Sequence, residues 1–363
     1  MNGHPVFPGD RVKLVPGYVV IDADLERDGD VASRVWGTTI GWPGRQMEMY
    51  RRHYLECPVD KPMLKFLRHV PTGEIVGTLG VSPRRVFWNG HEIRAGVLSH
   101  FCVVREHRKV MPARLLLKAT EDACRGHFDV VYAIPGTPRA AAMVKLYGVP
   151  DVNFIVRRVK VLRHAKYLAR LLPRPLASLA GGTIDLLGEI RIGSRGGTDR
   201  LSGRWVDSVD PGMAELWEAS PRGSGWNSAR DERMLRWRFD RLPSHRRRHL
   251  LVSEGVDGPL QAWFACDRNY FDPDILVVHD FWSAGGAGRI EQGAIRVLCQ
   301  AAKQLGFSAV EMRLAAPDAV ADAWVREGFV ERNRMPVPTY WLNPAVAGGT
   351  KGPLHITDLD NDG

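Results

Sequence analysis

Hydrophobic positions along this chain switch between a period of about two and a period of about 3.6 residues, the spacings of strands and helices. The runs GEIVGTLGV from Gly73 and GPLQAWFACD from Gly258 each follow a turn glycine with apolar, β-type residues, and they predict strands. ARLLLKATEDACRG from Ala113 and GAIRVLCQAAKQLG from Gly293 are helix-patterned. Each stops at a glycine, Gly126 or Gly306, as helices do when the residue past the end turns left-handed. FDVVYAI (128–134) and FSAVEMRL (307–314) then predict strands, followed by short helices ending at Gly148 and Gly328.

These elements recur in order. MYRRHYLECP from Met49 returns as MLRWRFDRLP from Met234, an offset of 185 that also relates the two strand runs, and the helix-ending glycines lie 180 apart. The pattern predicts two tandem copies of one α/β module. Each copy reads as an N-terminal helix, a hairpin-rich sheet, a long helix, a strand, a short helix and a last strand, which gives a mixed central sheet flanked by helices. The expected division is a first module at 1–158, a connecting segment at 159–204, a second module at 205–344 and a loose tail at 345–363.

Composition narrows the class. At 363 residues, 44% hydrophobic and 25% charged, the chain has the make-up of a folded protein larger than one small module. It has no uninterrupted apolar run of membrane-spanning length and no apolar signal core near its start, so a cytoplasmic location is expected. Five scattered cysteines, none spaced as CxxC, give neither a disulfide framework nor a metal site. Lys and Arg (50) exceed Asp and Glu (41), and seven of the nine excess positive charges lie between Asp151 and Asp185, where no acidic residue occurs. There VKVLRHAKYLARLLPRPLASLAGG sets Leu162, Leu168, Leu171 and Leu172 among the basic positions. Such a segment is either an inter-domain helix with a solvated basic face or a helix lying on an anionic membrane surface, on the inner face of the membrane. No helix-turn-helix, zinc finger or aromatic RNA-binding signature accompanies the charge, so no nucleic-acid partner is expected.

From Gly96, GVLSHFCVVREHRKVMPARLLLKATEDA runs from a β-rich stretch through a polar turn into a helix. It resembles the acyl-CoA site of the GNAT N-acyltransferase superfamily, whose turn reads Arg/Gln-x-x-Gly-x-Gly/Ala; here it is Arg108-Lys109-Val110-Met111-Pro112-Ala113, with Met111 in place of the first glycine. A helix N-terminus and the charges of Arg108, Lys109 and Arg114 favour phosphate in any case. The resemblance implies that Val103, Val104, Arg108, Lys109, Val110, Met111, Ala113 and Arg114 bind acyl-CoA as co-substrate, with no metal. The repeated Met49 and Met234 segments also look similar to tandem GNAT proteins of polysaccharide and lipid assembly, including bacterial ceramide synthase-like acyltransferases.

Amide formation from a thioester requires removal of a proton from the amine and a donor for the developing oxyanion. His100, eight residues before Arg108, is the candidate base, with Glu92 as a proton relay, and Tyr147 is the candidate acid for the departing thiolate. For each the alternative is ordinary packing. Trp237, Arg238, Asp280 and Trp282 are candidates for an acceptor pocket, or else core. The expected reaction is transfer of an acyl group from CoA to the amine of a membrane-presented acceptor such as a long-chain amino alcohol, giving a ceramide-like product. The alternatives are amino-sugar N-acetylation in polysaccharide assembly and an inactive GNAT-like binding module.

Overall fold

The computed structural model describes residues 15–41, 44–136, 153–169, a few positions between 172 and 183, 200–240, 248–347 and 354–362. The chain divides into two units, one of Met1–Phe154, Met335–Lys351 and Asp360–Gly363, the other of Ile155–Arg334 and Gly352–Leu359.

The first unit contains β1 (Tyr18–Asp22), α1 (Gly29–Thr39), α2 (Gln46–Tyr50, continued by a π-helical turn at Arg51–Leu55), β2 (Met63–His69), β3 (Ile75–Trp88), β4 (His91–Val103), α3 (Val110–Cys124) and β5 (Val130–Ala133). Its strands lie in the order β1-β2-β3-β4-β5, antiparallel except for the parallel pair β4 and β5. The long β3–β4 hairpin closes through Asn89 and Gly90, both at positive φ (51° and 77°), the backbone that an Asn-Gly hairpin turn requires. Alternation in β2 sends Leu64 and Phe66 to one face, against Ala32, Val35 and Trp36 of α1. Leu67 goes to the other, against Ala113 and Leu116 of α3. The sheet is thus covered on both faces.

The second unit contains β6 (Phe154–Val161), α4 (Ala165–Leu168), β7 (Leu201–Val206), α5 (Pro211–Ala219), β8 (Trp226–Ser228), α6 (Glu232–Phe239), β9 (Arg248–Glu254), β10 (Leu260–Arg268), β11 (Ile275–Ser283), α7 (Gln292–Gln304), β12 (Ala309–Leu314), α8 (Asp318–Arg326) and β13 (Val330–Pro336). Its sheet runs β13-β6-β12-β11-β10-β9-β7. Asp210 and Asp231 cap α5 and α6 by accepting from the Gly212 and Met234 amides. The apolar face of α7 (Ile295, Leu298, Ala302) packs with Leu250, Phe264 and Trp324 into one core.

Two features depart from the order expected along the chain. β6, which ends the first copy in sequence, pairs antiparallel with β12, and Arg157 donates twice to Glu311 of that strand (2.7 and 2.6 Å). In turn β14 (Thr339–Trp341), which follows the second copy, pairs with β5 of the first unit. Residues 354–362, read from the sequence as part of a loose tail, are buried: β15 (Leu354–His355) pairs with β8, and Ile356 exchanges backbone bonds with Ala315. Among the described residues no helix is long and apolar enough to cross a membrane.

Candidate functional site

In the first unit β4 and β5 pair only from Ala95–Val130 to Leu98–Ala133. At the next residues β4 bulges: Gly80 of β3 faces Ser99 and Thr78 faces Cys102, so β4 spends one residue more than its partner. His100 lies inside the bulge at φ 54°, a left-handed conformation uncommon outside glycine, for which histidine is among the more tolerant residues. The Thr78 hydroxyl donates to the His100 carbonyl (2.7 Å) and accepts from the Trp36 indole (3.0 Å), which fixes the bulge against α1.

The His100 ring stacks on Trp36 (centroids 4.6 Å apart), and its Nδ1 shares a 2.7 Å hydrogen bond with the Tyr54 hydroxyl. Glycine at position 80 makes this possible, because a Cβ there would lie 1.8 Å from that hydroxyl. Burial, with a smaller effect from His53, pushes the imidazole down to about 3, so His100 is neutral at pH 7. Burial also pushes the neighbouring Cys102 thiol up and keeps it protonated.

Behind His100 lies a buried charged pair that sequence reasoning missed. Arg84 of β3 pairs with Asp362, both side chains fully buried, and His53 Nδ1 lies 3.4 Å from the same carboxylate. The Tyr132 hydroxyl of β5 donates to the Asp360 carbonyl at 3.2 Å, so residues 360–362 are built into this unit. Arg84 and Asp362 are 278 positions apart, and no local pattern links them.

Beyond the bulge, Val104 makes a last backbone bond to Val76 (2.8 Å), a 3₁₀ turn spans Arg105–His107, and the Arg108 Nε donates to the Val103 carbonyl at 2.8 Å. α3 then begins with no side chain capping it. Its first amides lack intrahelical partners and sit at the positive end of the helix dipole, which favours an anion there. Arg105, Arg108, Lys109 and Arg114 are exposed around this end, and Glu106 is the one acidic residue between 99 and 120. Met111, where the resembled pattern has glycine, is not among the residues at positive φ, and its side chain is 43% exposed. The turn as built therefore requires no glycine at 111. Pro112 and Ala113 are buried beneath it.

Of the other expected site residues, Glu92 is not brought to His100. It lies eight residues back along β4, about 25 Å at strand rise, and pairs with Arg85 on the surface at 2.8 and 2.9 Å. Tyr147 lies outside the described residues. In the second unit Asp280 accepts two bonds from Arg230 (both 2.9 Å) and one from Thr357 (2.7 Å), and the Trp282 indole donates to Ser220 at 2.6 Å. Trp237 is buried, and Arg238 donates to the Asp358 carbonyl at 2.6 Å. Asp280 and Trp282 have no exposed surface to offer a ligand.

The strand device itself recurs in the second unit: β11 and β12 pair no further than Val278–Met312, and β11 bulges at His279 between Cys266–Val278 and Ala265–Asp280. Here the chain's own C-terminal segment bridges the parting strands. Ile356 bonds to Ala315 after β12, Thr357 to Asp280 of β11, and Asp358 lies 3.5 Å from His279 and 3.9 Å from Arg313. Burial raises the Asp358 carboxyl, but the hydrogen bond from His279 and the charge of Arg313 outweigh it and hold the carboxyl below its usual range. Among the described residues no group of three or more His, Cys, Asp or Glu is placed to hold a metal ion.

No protein-family model matches the sequence, and no curated protein matches it. Solved structures do. A GCN5-related N-acetyltransferase from Anabaena variabilis is similar at a TM-score of 0.60 and 12% identity over 91% of this chain and 74% of that one. A conserved Enterococcus faecalis protein described as a probable N-acyltransferase is similar at 0.61 and 8%, over 91% and 73%. Saccharomyces cerevisiae N-myristoyltransferase with bound myristoyl-CoA is similar at 0.54 and 13%, over 90% and 81%. The bulged β4 parting from β5, the turn and the uncapped α3 that follow, and this likeness over nine-tenths of the chain agree: the chain has the fold of the GCN5-related N-acetyltransferases.

Proposed function

We propose that the chain is an acyl-CoA-dependent N-acyltransferase whose chemistry takes place in the first unit. The observation that carries this reading is the continuity of three parts: a β4 edge released from β5, the His100 bulge at the point of release, and an uncapped helix start ringed by Arg105, Arg108, Lys109 and Arg114. The helix start suits the diphosphate of CoA, and the released edge of Ser99–Val103 suits the amides of its pantetheine arm. The thioester carbonyl then falls near the bulge. The amine attacks it, a C–N bond forms, the C–S bond breaks, and the proton lost by the amine ends on the CoA thiolate.

We assign the relay of the amine's proton to His100, which stands at the bulge; burial opposes its protonation, and the buried Asp362 carboxylate favours the transient cation. For the acceptor we propose an amine presented at a membrane, a long-chain amino alcohol. The basic, acid-free stretch after Asp151 supports this choice, as does the likeness to a protein that binds a long-chain acyl-CoA.

Free-thiol release from acetyl-, octanoyl- and palmitoyl-CoA, each with sphingoid and amino-sugar amines, tests both levels. Turnover of long chains with a sphingoid base, lost in Arg108→Glu, is expected. Turnover of acetyl-CoA with an amino sugar would keep the transferase and replace the acceptor, and no thiol release with any pair would overturn the proposal.

A further inference from the structure

The two copies differ at a buried pair of positions beside the strand bulge. At the offset of 185 that relates the Met49 and Met234 segments and the strand runs, Tyr54 corresponds to Phe239 and Gly80 to Ala265. Gly80 faces Ser99 where β4 bulges, and Ala265 faces Asp280 where β11 bulges. Phe239 is buried without a hydroxyl, so packing the module requires none at this place. The first copy carries one, and with it the glycine that gives it room, since a Cβ at position 80 would lie 1.8 Å from the Tyr54 hydroxyl. A buried hydroxyl and a glycine within a strand both cost stability. What they secure together is the 2.7 Å bond between Tyr54 and His100 Nδ1.

That bond has two forms. Burial holds the Tyr54 phenol well above its usual range, so it keeps its proton at pH 7, where His100 is neutral and has one ring proton. In one form the phenol donates to Nδ1 and the ring proton is on Nε2. In the other the phenol accepts from Nδ1–H and donates elsewhere. The acceptor for this second form is in place: the buried Ser99 hydroxyl stands beside Tyr54 and has no other hydrogen-bond partner among the described residues. We propose that Tyr54 is a positioning residue that holds His100 with its proton on Nδ1, His100 donating to the Tyr54 oxygen and Tyr54 to Ser99 Oγ. Nε2 then carries the lone pair and takes the proton of the attacking amine; in the opposite tautomer the only lone pair is spent on the phenol. The imidazolium keeps the same Nδ1–H bond, so the proton arrives at Nε2 and leaves from it with nothing rearranged at Tyr54. This catalytic purpose rests on the function proposed above, whereas the tautomer does not.

The test is the tautomer of His100 at pH 7, read from long-range proton–nitrogen correlations of the full chain carrying nitrogen-15-labelled histidine, its signals identified by their loss in His100→Gln. A protonated Nδ1 is expected in the unaltered chain. The proton should move to Nε2 in Tyr54→Phe, and the Nδ1 form should weaken in Ser99→Ala, which keeps the phenol. In thiol release, Tyr54→Phe should lower kcat by about tenfold to a hundredfold with the KM for acyl-CoA changed by less than about twofold, because the phenol acts on the base and not on binding. A phenol that served packing alone would leave the tautomer unmoved. A proton on Nε2 in the unaltered chain, one tautomer in all three proteins, or an unchanged kcat in Tyr54→Phe would each overturn the proposal. The spectra need no turnover, so a chain that releases no thiol with any amine would refute the function proposed above while the spectra still decide the tautomer.

Discussion

Replacing Gly80 by alanine tests the geometry around His100. The added Cβ would lie 1.8 Å from the Tyr54 hydroxyl, whereas non-bonded atoms settle at about 3.5 Å, so the hydroxyl must move by about 1.5 Å or more. That displacement breaks its 2.7 Å bond to His100. Overpacking of a tight core costs about 1–3 kcal/mol and the lost hydrogen bond about 1 kcal/mol more, so Gly80→Ala should destabilise by about 2–4 kcal/mol. Tyr54→Phe alone removes only the bond. In the double variant the nearest obstacle becomes the ring carbon at 2.9 Å, so the combined loss should fall short of the sum of the singles by about 1 kcal/mol. Urea unfolding of the four proteins measures the cycle. A loss below about 0.5 kcal/mol in Gly80→Ala, or strict additivity, would refute the packing argument.

Three further outcomes follow from the same structure. Asp362→Asn strands the fully buried Arg84 guanidinium and should cost about 3–5 kcal/mol in chemical unfolding. His100 takes up a proton near 6.5 when unfolded but only near 3 when folded, so acid favours the unfolded state: stability should fall by about 1.4 kcal/mol per pH unit from 6.5 downward on this account, a slope missing from His100→Gln. Lys109→Glu/Arg114→Glu reverses two exposed charges at the start of α3 and should raise the calorimetric Kd for CoA by about tenfold to a hundredfold, less at high salt, with an unchanged melt.

What the sequence made legible were features with local signatures. The long helices end where their glycines stand, at Gly126 (φ 82°) and Gly306 (φ 91°), and Gly328 after α8 is likewise left-handed at 89°. The turn before α3 lies at Arg105–Lys109, as the polar run between two apolar patterns required. The repeat around Met49 and Met234 is matched by helical segments at Gln46–Leu55 and Glu232–Phe239.

What stayed hidden depends on partners distant in sequence. Strand periodicity tells which face of β6 is apolar but not which sheet it joins, so its pairing with β12, and that of β14 with β5, left no trace in the pattern. The acidic, glycine-flanked segment before residue 363 carries the composition of a loose end. Only the fold supplies Arg84, Thr357's acceptor Asp280, and His279, which bury it. Glu92 and His100 share a strand in the sequence, and the same strand sets them far apart.

The central claim, that the first unit takes the acyl-CoA, is tested most directly by amide hydrogen exchange of the full chain with and without CoA. Slowed exchange confined to Ser99–Arg114, through the released edge of β4 and the first turn of α3, is the predicted result. Protection at Gly285–Arg296 before and within α7 instead, or none at either place, would contradict it.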